Sequence, residues 1–393
     1  MFLLLTLSGV AASRSGDREG TNRPDAKLAI ELSHGDVDSA ISAAAHYLER
    51  TCDSDGKFEY RVNFRTGHHD SSYNVVRHSG VMYALAMRNA SQNDTQAAEA
   101  VLRASAFLRQ RYVGPGVRPD QLAIWSRPLP EHSDAELGAT GLGLVALAAA
   151  YHIDPKSIPI DQLQALGRFL LFLQRDDGSF VSKYNVEKGP VAEWESLYYP
   201  GEATLGLISL YETDGSTQWL YAAARSLAYL ARSRADLPSV PADHWALIAT
   251  AKLLPYCQHA GCPASRSALL RHAIQICGSI LREQITNPAV PPLDGAFDSA
   301  GRITPTATRL EGLLAALEFL PEDSGNLRVL IETAIERGIA FLLRAQITSG
   351  PYAGGMPGAI GAGAKGESTI RIDYVQHTMC AWLQYQKLFQ KGT

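Results

Sequence analysis

Glu136-Leu137-Gly138-Ala139-Thr140-Gly141-Leu142-Gly143-Leu144-Val145-Ala146-Leu147-Ala148-Ala149-Ala150 carries no charge after its first residue and no proline. Leu and Ala favour a helix, and one that is apolar on every side must be covered on every side. Gly138, Gly141 and Gly143 each cost about 1 kcal/mol of helix propensity relative to alanine. That cost is tolerable where neighbouring helices pack closely around a narrow axis.

Five further stretches share this character: Asn74 to Ala86, Glu202 to Tyr211, His244 to Leu254, Arg309 to Phe319 and Asp373 to Leu388. Gly201, Gly206 and Gly312 belong to the same pattern of small residues. Between these stretches lie segments with apolar residues at three- and four-residue spacing and a charged opposite face, as one-sided burial requires. They are Ile41 to Arg50, Ala100 to Gln110, Leu163 to Gln174, Tyr221 to Ala231, Leu269 to Leu281 and Ile331 to Ala345. The two classes alternate strictly. The arrangement that covers the apolar class is an inner ring inside an outer ring. The sequence therefore predicts an all-α fold, an (α/α)6 toroid of about six helical hairpins over residues 26–393, with an open α-solenoid as the competing geometry.

The loops repeat as well. Asp55-Gly56-Lys57-Phe58, Asp177-Gly178-Ser179-Phe180 and Asp294-Gly295-Ala296-Phe297 recur at every second hairpin. Asp-Gly makes a tight turn, and the Phe is expected to plug the hairpin end. Gly354 to Gly363 is rich in glycine but lacks the Lys-Ser/Thr ending of a phosphate loop; it reads as a flexible loop over the mouth, serving as lid or connector.

Composition bounds the function. The 393 residues are 46% hydrophobic and 19% charged, with a formal net charge of −4. This supports a large core and argues against a nucleic-acid partner, which calls for a basic face. No apolar run reaches the roughly 20 residues of a membrane span. Met1 to Ser13 resembles the apolar core of a secretory signal, with a cut near Ala12 or Ser13 but without a basic start. Residues 1–25 thus read as a signal-like or disordered leader, and the protein as exported or periplasmic, with a cytoplasmic protein as the alternative. Among five cysteines, Cys257 and Cys262 flank a short loop and could pair, while Cys52, Cys277 and Cys380 have no evident partner; no zinc-ligand spacing is present.

Gln174-Arg175-Asp176-Asp177-Gly178-Ser179-Phe180 resembles the repeat motif of terpene cyclases, and Asp373 to Cys380 is similar to the last inner helix of protein prenyltransferase β subunits, where a matching His binds zinc. The alternating hairpins also resemble the six-hairpin glycosidases, polysaccharide lyases and uronate epimerases. The resemblance covers roughly residues 35 to 390 and implies the toroid. The chain departs from the first two groups: it has neither Asp-x-Asp-Asp nor an Asp-x-Cys to complete a zinc site with His377, and no Cys-His pair of the lanthionine cyclases.

In such toroids the inner helices begin around a funnel. The polar residues at those starts are Tyr73, Asn74, Arg77 and His78; Asp134 and Glu136; Tyr198, Tyr199 and Glu202; Asp243 and His244; Arg309 and Glu311; and Arg371, Asp373, Gln376 and His377. Acids at a helix start are explained by capping alone. Arg and His are not, because the helix dipole opposes their charge. A ring of structural ion pairs competes with a ligand site as the reason for them.

Within Tyr198-Tyr199-Pro200-Gly201-Glu202, Pro200 suits the first helical turn, Gly201 allows close approach, and the tyrosines offer a wall for a sugar ring. Hydrolysis of a glycosidic bond needs two carboxylates. Glu202 is the candidate acid, Asp243 or Asp373 its partner, and Glu136 the reserve. Asn74, Arg77, His78, Tyr198, Tyr199, His244, Arg309, Glu311, Arg371 and His377 are candidate substrate-binding residues. If the substrate is a uronic acid, Arg77 or Arg309 would clamp its carboxylate and Tyr199 or His78 would remove the C5 proton, giving a lyase or epimerase. The sequence predicts a carbohydrate-active enzyme, first a glycoside hydrolase, second a uronate lyase or C5-epimerase, and third a non-catalytic toroid that binds a glycan or peptide. The partner is a glycan or other small polar substrate. No cofactor or metal is expected, and the pair His68-His69 reads as a solvated loop, with overhang of the funnel to bind substrate as the alternative.

Overall fold

One-faced and all-apolar segments become outer and inner helices. The computed structural model describes residues 34–131, 134–191, 194–257, 262–286, 291–361 and 363–389. The signal-like stretch and leader lie outside them. The outer helices are α1 (His34–Arg50), α3 (Thr95–Arg111), α5 (Ile160–Leu173), α7 (Thr217–Ser233), α9 (Arg266–Glu283) and α11 (Asn326–Ala345). The inner ones are α2 (Val75–Gln92), α4 (Leu137–Ile153), α6 (Tyr199–Asp214), α8 (His244–Leu253), α10 (Ile303–Leu317) and α12 (Ile372–Phe389).

Each inner helix packs on the next, and α12 packs on both α2 and α1, so the ring closes. The fold is an (α/α)6 toroid. The small residues make the inner contacts: a side chain on Gly206 would strike the carbonyl of Gly141, and one on Gly201 would strike the backbone of Trp245. The axis is filled by a buried cluster of Leu142, Val145, Leu205, Trp245, Ile248 and Ala315. This apolar plug gives the site at one mouth a dry floor.

The Asp-Gly-x-Phe turns join neighbouring outer helices. Gly56, Gly178 and Gly295 adopt positive φ and sit against the carbonyls of Arg103, Arg225 and Arg337, each on the next outer helix, where only glycine fits. Phe58, Phe180 and Phe297 are buried behind them. Gln174 and Gln284 repeat a second clasp, donating to the carbonyls of Ala222 and Ala334 at 2.9 and 2.8 Å.

Four features differ from the sequence reading. The outer helices begin one or two turns earlier than expected, because their first turns are polar and carry no apolar period. α10 starts at Ile303 rather than near Arg309. Short strands edge the mouth, among them Arg61–Asn63 paired with Thr369–Arg371, which ties the first hairpin to the last. The glycine-rich segment is not a loose loop over the mouth. Gly354 to Ala359 are buried, and Gly354 packs on the carbonyl of Ala43. Cys257 and Cys262 form a disulfide with Cα atoms 5.4 Å apart, and Cys52, Cys277 and Cys380 are buried and free. Among the described residues no helix is long and apolar enough to cross a membrane.

Candidate active site

The inner-helix N-termini surround a cavity of about 280 Å³. Helical geometry decides which polar residues reach it, because adjacent residues point about 100° apart. Arg77 faces the cavity. His78, next to it, turns to the outer helix α3, where its Nε2 lies 3.0 Å from the Ala104 carbonyl and its Nδ1 2.7 Å from the Tyr73 hydroxyl. Likewise His244 faces the cavity, while Asp243 caps α8 by accepting from Ala246 N–H at 3.1 Å and pairs with Arg234 at 2.9 Å. His78 and Asp243, candidate binding and catalytic residues from sequence, are therefore turned away from the cavity into the helix-helix interface.

Asn74, Arg77, Tyr198, Tyr199, Glu202, His244, Arg309, Arg371, Asp373 and His377 all line it. Glu136 and Glu311 stand behind the wall. Glu136 accepts from the Tyr199 hydroxyl at 2.7 Å, and Glu311 lies 2.7 Å from Nδ1 of His377. That engagement leaves Nε2 of His377 for a ligand. Asn74 also caps α2, accepting from the Arg77 N–H at 3.0 Å.

Three groups define the chemistry. The first is an ionised cluster. Both oxygens of Asp373 accept from Arg371, at 2.5 and 2.8 Å, and Arg77 lies 3.2 Å away. Burial pushes the Asp373 carboxyl up, but the hydrogen bonds from Arg371 and the charge of Arg77 outweigh it and hold it below the usual carboxylate range. Arg77 is steadied by the Tyr60 hydroxyl at 2.6 Å.

The second is Glu202. It is buried, its Oε2 has no hydrogen-bond partner, and its pKa is pushed up to about 8 by burial, with Asp243 and Glu136 adding to the effect. At neutral pH it is a carboxylic acid. Its carboxyl packs on Gly138, where any side chain would displace it.

The third is a histidine pair. The rings of His244 and His377 lie 5.8 Å apart, nearly perpendicular. His244 is buried, and neither ring nitrogen has a partner. Burial, with His377 and Arg309 nearby, drives its pKa well below the ordinary histidine value, so it is a neutral imidazole. Buried polar atoms are ordinarily satisfied, and an orphaned set converging on one cavity marks a place prepared for a ligand.

Sequence reading missed Trp245, Thr304, Pro305 and Thr308 on the wall. Thr304 presents another orphaned hydroxyl. The Thr304-Pro305 pair was the available signal, since proline suits a helical first turn, as at Pro200. Arg309 lies six residues into α10 rather than at its start, and pairs with Glu283 on α9 at 2.9 Å. His68 and His69 lie in a short edge strand outside the cavity, with His69 paired to Glu59. Among the described residues no group of three or more His, Cys, Asp or Glu side chains could hold a metal.

No family model matches the chain, and no curated protein matches it in sequence. Solved structures match its fold. A D-mannose isomerase superposes with a TM-score of 0.67 at 12% identity, covering 90% of this chain and 98% of its own. Cellobiose 2-epimerase from Bacillus thermoamylovorans B4167 gives 0.66 at 12%, covering 90% and 100%. A glycoside hydrolase family 76 mannosidase from Bacteroides thetaiotaomicron VPI-5482 gives 0.61 at 11%, covering 91% and 100%. These likenesses establish the toroid.

Proposed function

We propose that this chain is a carbohydrate-active enzyme that moves a proton on the reducing-end carbons of an aldose, isomerising or 2-epimerising it. The observation that carries the reading is the His244–His377 pair: one imidazole neutral and without partners, the other held by Glu311 with Nε2 left over. The names of the similar structures, a mannose isomerase and a cellobiose 2-epimerase, agree with it.

In this mechanism the open-chain sugar lies across the cavity with C2 against His244. The imidazole takes the C2 proton, the C2–H electron pair forms the C1=C2 bond, and the carbonyl pair moves onto O1. Glu202, protonated, donates a hydrogen bond to O1 as its charge develops. The low pKa of His244 in the empty cavity does not forbid the step, because the imidazolium forms beside the enediolate that balances it. Transfer of the O2 proton to O1, with the C1=C2 pair taking a proton at C1 as the O2 lone pair forms the C2 carbonyl, gives the ketose. Return to the opposite face of C2 from His377 gives the epimer. The Arg77–Asp373–Arg371 cluster anchors sugar hydroxyls and keeps the chain oriented.

Glycoside hydrolysis, the first expectation from sequence, retains one supporting observation, the protonated Glu202. Among the described residues its other candidate carboxylates are engaged: Asp243 with Arg234, Asp373 with two arginines and Glu136 with the Tyr199 hydroxyl. The test is product analysis by NMR after incubation with a panel of aldoses and reducing disaccharides. Ketose or 2-epimer formation supports the proposal; new reducing ends from a glycoside, or an ultraviolet-absorbing unsaturated uronate, would replace it with the hydrolase or lyase reading.

A further inference from the structure

A second concavity, about 860 Å³, lies outside the catalytic cavity between the first two hairpins. Its lining includes Lys57, Arg103, Arg111 and Arg127 against the single carboxylate of Asp55. Among the described residues none of these four cations forms an ion pair with a carboxylate. Unpaired cations are common on the described surface; what sets this place apart is that four of them share one concavity with one lining carboxylate, Asp134 alone reaching Arg127 with its charge from beyond it. The chain as a whole carries −4, and most arginines at the rims of the catalytic cavity are paired. The Lys57 ammonium stands 5.3 Å from the centre of the Tyr73 ring, and the half-buried rings of Tyr73 and Phe107 give the groove an apolar wall.

Unpaired cations gathered in a groove repel one another, and an anion removes that repulsion. The size of the groove calls for several anionic groups on one extended molecule. The net negative charge opposes a long polyanion such as nucleic acid, whose attraction depends on a broad basic face. A short oligoanion feels mainly the local charges, within a Debye length of about 10 Å.

We propose that this groove is a binding site for a short acidic oligosaccharide, its carboxylate or sulfate groups held by Lys57, Arg103, Arg111 and Arg127 and its rings lying against Tyr73 and Phe107. The choice of a sugar as carrier of the anions rests on the proposed sugar chemistry of the cavity. The charge argument does not.

The experiment is fluorescence anisotropy of the full chain with labelled hexagalacturonate and a labelled heparin hexasaccharide, at low and high salt. Cellohexaose and a six-nucleotide single-stranded DNA serve as controls, and the variants are Arg111→Glu with Arg127→Glu, and His244→Asn. Arg111 and Arg127 are exposed, so their replacement leaves the core intact. The expected result is saturable binding of an acidic hexasaccharide that weakens with salt. It should fall at least tenfold in the double variant, since a charge-assisted contact is worth about that much, and stay unchanged in His244→Asn. Isomerase activity on small aldoses should be unaffected by the double variant, so loss of that activity in wild type and loss of groove binding are separate results. Absence of binding, equal binding of cellohexaose or DNA, or unchanged binding by the double variant would overturn the proposal. Loss of binding in His244→Asn would place the acidic sugar in the catalytic cavity instead and overturn it equally.

Discussion

The imidazoles of His244 and His377 face each other edge to plane, ring centres 5.8 Å apart, from the first turn of α8 and the second turn of α12, the two inner helices that flank α10. Only one has an acid behind it: Glu311 bonds His377, while both nitrogens of the buried His244 are unmet. Two identical side chains are thus given different roles by their surroundings. His244→Asn and His377→Asn should each lower turnover by about 10²- to 10⁴-fold, the span typical of a lost general acid or base. Glu311→Gln should cost less, and its loss should appear as a changed pH profile of kcat rather than a changed KM.

Glu202 links activity to stability. In the unfolded chain it titrates near 4.5, and in the fold near 8. Between those values the folded state holds a proton that the unfolded state has released, so stability is greatest below about pH 4.5 on this group's account and falls as pH rises through 8. The loss is on the order of a few kcal/mol. Glu202→Gln should flatten this dependence, making the variant more stable than wild type at pH 9 while impairing turnover. Melting curves of both proteins from pH 5 to 9 check it.

Gly138 should be intolerant of a single methyl. A Cβ there would collide with Oε2 of Glu202 and the ring of Tyr199. Gly138→Ala should cost about 1–3 kcal/mol by overpacking and depress activity further than that loss explains, because both displaced groups line the cavity. Gly215→Ala provides a control, since nothing lies within 4 Å of its Cβ position and only its positive φ is strained.

Asp373→Asn leaves two guanidinium groups facing one another with no balancing charge. Breaking a buried ion cluster from one side costs about 3–5 kcal/mol. Urea unfolding should show a loss of that order, and Arg77→Ala in the same background should recover part of it by relieving the repulsion.

The fold was legible because two different burial demands alternate along the chain. The run Leu137 to Ala150 has no polar face to give to water, whereas α7 and α9 each have one, and that contrast reports inner and outer position directly. Polar first turns, such as His34-Gly35-Asp36 and Thr95-Gln96, carry no such contrast, so helix starts were misplaced. The site was legible as a set of helix starts but not as a surface. Arg77 and His78 are adjacent, as are Asp243 and His244, and a difference of one position decides which reaches the cavity. Thr304 and Thr308 were hidden for a related reason: the threonine-rich start of α10 looks like loop until tertiary packing makes it helix. The glycine content of Gly354 to Gly363 reads as flexibility, but a glycine also serves close packing, as Gly354 does against Ala43.

The central claim is proton transfer at the carbon next to the sugar carbonyl, and hydrogen exchange with solvent reads it without regard to product. An aldose deuterated at C2 should lose its label to water in the presence of the native chain, with the loss suppressed in His244→Asn, whereas His377→Asn should suppress formation of the 2-epimer. A C2 label retained for every aldose that binds, or one lost as fast in His244→Asn as in the native chain, would contradict the account.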